Sequence, residues 1–69
     1  METVHLREEY IKLGQALKAS GLAESGVEAK IAVQDGKVRV NGEIETRRGK
    51  KLVAGDKVEY NGEVIRIER

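Results

Sequence analysis

The hydrophobic positions change period at about residue 11. Val4 and Leu6 alternate with polar residues, which indicates a short first strand. Beyond them, apolar positions three or four residues apart predict a helix whose inner face is formed by Leu13, Ala16, Leu17 and Ser20. Gly21 is a natural end for this helix. Gly14 inside it costs about 1 kcal/mol relative to alanine, so we expect another stretch of backbone to approach it closely.

A second helix is predicted from about Gly26 to Gln34. Ser25 is a typical N-cap, and Glu28 follows at the spacing of a capping box. One face of this helix is apolar and consists of Ala29, Ala32 and Val33. Asp35-Gly36 then ends the helix. The two short helices are therefore expected to form a helical hairpin.

A strand pattern follows the second helix. Val38 and Val40 alternate with basic residues, and Asn41-Gly42 is a strong turn signal. A two-residue turn at this point would pair Arg39 with Ile44 and place Ile44 off the face that the two valines share. Either the loop is longer or Ile44 packs separately, and the pattern alone leaves both possibilities open.

A second turn signal, Asn61-Gly62, separates strand segments at about 57–60 and 63–67. A two-residue turn gives these strands one shared face, formed by Val58, Tyr60, Ile65 and Ile67. The order strand, helix, helix and then three to four strands predicts an α+β fold. We expect one domain over residues 1–69, with a two-helix hairpin packed on a small antiparallel sheet.

The composition excludes several classes of function. The chain has no Cys and one His, which excludes disulfides, thiolate metal sites and a cysteine nucleophile. No base accompanies Ser20 or Ser25, and residues 49–51 lack the other parts of a P-loop. We therefore predict a protein that is not an enzyme, with no catalytic residues, no cofactor and no metal site. The chain has no membrane-length apolar run and no secretory signal, so we expect it to be cytoplasmic and not to bind membranes. We separately expect a monomer.

Positive charge is concentrated in one part of the chain. The net charge is only +1, yet residues 37–51 carry six basic residues against two acidic ones, a net charge of +4. Such asymmetry is typical of nucleic-acid binding. Arg47 and Arg48 could each hold a phosphate through two parallel hydrogen bonds, and Lys50 and Lys51 would add point charges.

This basic loop at residues 46–51 is also compatible with other interpretations. A charged run is often a solvated turn, and a basic face equally suits an acidic protein partner. If the partner is RNA, the scarcity of aromatic residues disfavours stacking of single strands and favours phosphate and shape recognition of structured RNA. Tyr10 is the one aromatic side chain expected to be available, because Tyr60 is predicted to be in the core.

Four segments between residues 11 and 60 together form one recognisable pattern. They are Lys12-Leu13-Gly14 with Leu17, Gly21-Leu22, Ser25-Gly26-Val27-Glu28-Ala29-Lys30, and Gly36-Lys37-Val38-Arg39-Val40-Asn41-Gly42. They resemble the RNA-binding domain named after small-subunit ribosomal protein S-four, the alpha-L motif. Residues 45–52 and Gly55-Asp56 are similar to the stand-alone bacterial branch of that family.

The resemblance implies that the two helices and the following strand bind RNA. We expect this RNA to be structured and ribosomal or ribosome-associated, and the partners to include the ribosome or its assembly intermediates. In the family an Asp usually stands where Gly14 is, and an Arg where Gly26 follows Ser25. The missing Arg weakens that end of the surface, and we expect the basic loop to compensate. The predicted RNA-binding residues are Lys12, Gln15, Ser25, Lys30, Gln34, Lys37, Arg39, Arg47, Arg48, Lys50 and Lys51.

Overall fold

The computed structural model describes residues 2–69 of the chain. Its elements are β1 (Glu2–His5), β2 (Ile11–Lys12), α1 (Leu13–Ala19), α2 (Gly26–Gln34), β3 (Arg39–Val40), β4 (Glu43–Ile44), β5 (Lys51–Leu52), β6 (Lys57–Tyr60) and β7 (Glu63–Glu68). The two helices pack on a five-stranded sheet in the order β1-β7-β6-β3-β4, and β2 pairs with β5 in a separate ladder. The predicted α+β fold is confirmed.

The main sheet contains more strands than the pattern predicts. Strands β7, β6, β3 and β4 are antiparallel neighbours, as expected for a sheet of three to four strands. The additional edge strand is β1, which pairs in parallel with β7 and places Val4 opposite Ile67. Local periodicity detects the first strand but cannot show that its partner is the last strand of the chain.

Both Asn-Gly turns have two residues. Asn41 and Asn61 each adopt a φ of 53°, and the glycine after each also has positive φ, as the favoured hairpin turns require. The first turn pairs Arg39 with Ile44, so the shorter of the two possible loops is present. Ile44 consequently lies outside the core and is 57% exposed.

The helix ends follow their sequence signals. Gly21 has a φ of 82° just beyond α1, a conformation that suits glycine at the end of a helix. At the start of α2, Ser25 Oγ accepts a hydrogen bond from the Glu28 amide at 3.2 Å. The Glu28 carboxylate accepts from the Glu24 amide, one residue before the N-cap. Helix α1 begins at Leu13, two residues after the hydrophobic period changes, because Ile11 and Lys12 are extended and paired with β5.

The core lies between the helices and one face of the main sheet. Its fully buried large side chains come from both helices and from the segments that follow them, and are Leu13, Leu17, Leu52, Ile65, Ile67, Val33, Val38 and Val58. Tyr60 is buried among them, as expected. Within residues 2–69, neither helix is long and apolar enough to cross a membrane.

Candidate nucleic-acid interface

The basic loop is attached to the start of α1. In the β2–β5 ladder, Lys12 lies directly opposite Lys51. The Leu13 amide donates to the Lys50 carbonyl at 2.8 Å, and the Gly14 amide donates to the Arg48 carbonyl at 3.0 Å. These backbone bonds place two segments that are distant in sequence side by side.

Gly14 is a point of close approach, as its position within a helix predicts. A Cβ atom added there would lie 3.7 Å from the Arg48 carbonyl oxygen, so a second backbone does pass nearby. The side chain is closer still, since the added atom would lie 2.7 Å from Arg48 Cγ. The glycine thus lets the stem of Arg48 lie against the first turn of α1.

An open depression of about 320 Å³ lies where α1, α2 and the basic loop meet. We call it the cationic groove, and its lining consists of Lys12, Gly14, Gln15, Lys18, Gly26, Arg48 and Gly49. Three of these side chains are cationic and exposed, and they come from three segments: β2, α1 and the loop. Gly26 opens α2, so the first-turn amides of that helix, which lack intrahelical partners, lie beside the groove.

A second open depression of about 500 Å³ continues from the first through Gly49. It is lined by Arg47, Lys50 and Lys51 as well as by that glycine. In the described part of the chain, no acidic side chain lines either depression. Together they form a continuous cationic surface.

Arg47 is the member of this surface that is already paired. Its Nε lies 3.0 Å from Glu45 Oε2, and its backbone amide donates to the same oxygen. These hydrogen bonds from Arg47 hold the pKa of the Glu45 carboxyl below its usual value, and the carboxylate raises the pKa of the Arg47 guanidinium in return. The Arg47 side chain is nevertheless 72% exposed, so its outer edge remains accessible.

Five of the predicted residues do not line the two depressions. Ser25 caps α2 next to Gly26, at the margin of the cationic groove. Lys30 and Gln34 are exposed on α2, and Lys37 is exposed before β3. Arg39 alternates with buried Val38 and Val40 and so projects from the sheet face turned away from the helices.

Arg39 also has neighbours unlike those of the groove residues. Its cross-strand partners are Glu59 on β6 and Ile44 on β4. A carboxylate and an exposed aliphatic side chain therefore flank it, and the fold does not bring it to the cationic groove.

Lys18 is a groove residue absent from the predicted set. It lies three residues after Gln15 on the polar side of α1, and both side chains line the groove. The helical spacing of Gln15 and Lys18 could have indicated that Lys18 belongs to the site, because residues at i and i+3 share a helix face. The sequence offered no reason to prefer Lys18 over other exposed lysines until the loop was seen to lie against α1.

The chain belongs to the S4 domain family, whose model matches residues 4–68. It is 41% identical over 58 residues to "Putative RNA-binding protein YbcJ" of Escherichia coli (strain K12), covering 84% of this chain and 83% of that protein. It is 46% identical over 54 residues to "Probable ribosome maturation protein RlbA" of Bacillus subtilis (strain 168), covering 78% of this chain and 76% of the relative.

The fold is also similar to a solved structure. The solution structure of Escherichia coli YbcJ, described as revealing an alpha-L motif involved in RNA binding, has a TM-score of 0.77 to this chain. The two are 38% identical, and the match covers 100% of this chain and 89% of the other. The alpha-L architecture expected from the sequence is therefore confirmed.

Proposed function

We propose that the protein binds double-helical RNA, ribosomal or ribosome-associated, through the cationic groove and the adjoining basic loop. The observation that carries this proposal is the convergence of Lys12, Arg48 and Lys51 on one surface. Backbone hydrogen bonds and a strand ladder hold their segments together, so the surface exists before any ligand binds.

An RNA helix suits this surface because it presents regularly spaced phosphates. Lysine and arginine neutralise phosphates and release the cations condensed around them, which is the main source of affinity in such complexes. The Arg48 guanidinium can hold a phosphate with paired hydrogen bonds. The side-chain amide of Gln15 can donate to a phosphate or a 2′-hydroxyl, and a 2′-hydroxyl distinguishes RNA from DNA.

The remaining predicted residues take secondary places in this proposal. Ser25 holds the start of α2 in position, while Lys30, Gln34, Lys37 and Arg39 would contact RNA only if the helix extends beyond the groove. The name of the YbcJ relative favours RNA over an acidic protein partner, and the name of the RlbA relative favours a connection with the ribosome. On this proposal the protein acts without catalysis, as a monomer in the cytoplasm on RNA of the ribosome or its assembly intermediates.

The test compares two charge reversals of equal size. The first changes Arg48, Lys50 and Lys51 to Glu, and the control changes Lys57, Arg66 and Arg69, which lie away from the groove, to Glu. Binding to a fluorescent RNA hairpin is measured against salt concentration. The wild type should show a log-log slope of about −0.9 per neutralised phosphate on duplex.

The first reversal should abolish RNA binding, whereas the control should retain most of it. Circular dichroism should show that both variants remain folded. Equal losses in the two variants would show that net charge, and not this surface, determines binding. Recovery of a cellular partner that survives nuclease treatment would instead favour an acidic protein.

A further inference from the structure

We infer that Tyr10 and the cavity beside it form a subsite for one unpaired nucleobase at the edge of the RNA helix. The inference rests on the proposed function and adds to it the kind of RNA feature that is recognised. Tyr10 immediately precedes β2 and is 37% exposed. It is the exposed aromatic side chain among residues 2–69, since Tyr60 is buried.

Tyr10 lies next to the cationic surface through Lys51. The Lys51 ammonium is 4.8 Å from the centroid of the Tyr10 ring, a distance at which a cation is attracted to the ring face. Lys51 also stands opposite Lys12 and lines the depression of the basic loop. The Tyr10 ring is therefore next to a lysine of the cationic surface.

Tyr10 also borders an open cavity of about 570 Å³, a volume within the roughly 300–1,000 Å³ of small-ligand sites. Lys51 is not part of the cavity lining, so it does not block this approach to the ring. Gln15 lines both this cavity and the cationic groove, which makes the two sites neighbours. The half-buried side chains of Leu6 and Ile11 give the cavity apolar walls.

The cavity is lined by one cationic and one acidic side chain, Arg7 and Glu8, so it lacks the concentrated positive charge of the cationic groove. The Glu8 carboxylate can accept a hydrogen bond from the exocyclic amine of a base such as cytosine. A single aromatic ring can hold a single base. The site therefore suits an overhang or a bulged nucleotide, and it would not hold a long single strand.

The experiment uses one RNA hairpin in four forms: blunt, with a 5′ overhang, with a 3′ overhang, and with a single bulge. The unpaired position carries 2-aminopurine, whose fluorescence is quenched by stacking. Wild type, Tyr10→Phe and Tyr10→Ala are compared. Wild type should bind at least one of the hairpins with an unpaired nucleotide on the order of 5- to 100-fold more tightly than the blunt hairpin. Binding of that hairpin should quench the 2-aminopurine fluorescence.

Tyr10→Phe should keep this increment and the quenching, because its ring is retained. Tyr10→Ala should lose both while still binding the blunt hairpin. The inference is overturned if wild type binds all four forms equally, or if the increment is the same in Tyr10→Ala. Failure of wild type to bind even the blunt hairpin would instead refute the proposed function on which the inference rests.

Discussion

The amide of Gly14 donates a hydrogen bond to the carbonyl of Arg48 at 3.0 Å, and Arg48 Cγ lies 2.7 Å from the position of a Gly14 Cβ atom. The contact couples the first turn of α1 to the basic loop. Position 14 therefore determines how the Arg48 side chain can lie, although glycine itself offers RNA no side chain.

Gly14→Ala should weaken RNA binding because the new methyl group displaces the Arg48 side chain. In the wild-type background, alanine's higher helix propensity would raise the free energy of unfolding by up to about 1 kcal/mol, but the clash of its methyl group with Arg48 offsets this gain. In an Arg48→Ala background that contact is absent, and the same change should raise the free energy of unfolding. A double-mutant cycle by urea denaturation measures this coupling. Equal effects in both backgrounds would contradict the interpretation.

Lys12→Glu should increase stability and decrease RNA binding. Lys12 faces Lys51 directly in the β2–β5 ladder, and like charges at such positions are destabilising. Reversing one charge converts repulsion to attraction, with a gain of up to about 1 kcal/mol at low salt and less at high salt. Urea denaturation and hairpin titration on the same sample separate the two effects. A variant that lost both stability and binding would show that the lysine is needed structurally.

Glu45 should contribute to stability only above acid pH. Hydrogen bonds from Arg47 hold the pKa of its carboxyl below the ordinary 4.5. The pKa of Glu45 is lower in the folded than in the unfolded state. Its contribution to the free energy of unfolding is therefore complete above about pH 4.5 and is lost as the pH falls through the folded-state pKa. Glu45→Gln should be less stable than wild type at neutral pH and approach it in acid. Glu43→Gln, which removes an exposed carboxylate without that arginine, is the control, and a similar pH profile for both variants would contradict the assignment.

Asn41→Gly should destabilise the protein, whereas Asn61→Gly should not. Asn41 Nδ2 donates to Asp56 Oδ1 at 3.0 Å, and Asn41 Oδ1 accepts from the Lys57 amide at 3.0 Å. Loss of two such bonds should lower the free energy of unfolding by about 1–2 kcal/mol. Asn61 has the same φ in the same kind of turn, so its change to glycine is a matched control. Equal thermal stability of the two variants would show that the side-chain bonds contribute little.

Gly26→Arg should tighten RNA binding. A Cβ atom at this position would meet nothing within 4 Å, and the residue lines the cationic groove. One more phosphate contact should steepen the salt dependence by about 0.9 in log-log slope. Val27→Arg adds the same charge one position later, on a residue that is 67% exposed and does not line the groove. If both variants gained equally, charge near α2 would matter more than the groove.

Local signals were sufficient wherever neighbouring residues determine the structure. The spacing of apolar residues located both helices, Ser25 and Glu28 marked the start of α2 within one residue, and the two Asn-Gly pairs indicated both hairpin turns. These features depend on interactions over a few residues, which a single sequence contains in full.

Residue spacing alone determined the helices, the hairpins and the inward faces of the main sheet, because periodicity and turn chemistry act over short distances. Tertiary structure decided which distant segments meet. The parallel pairing of β1 with β7 and the docking of the basic loop on α1 arise from contacts between parts of the chain that are far apart. That docking brings Lys18 to the groove, while the pleat of β3 turns Arg39 away, since side-chain direction in a sheet depends on which face is buried.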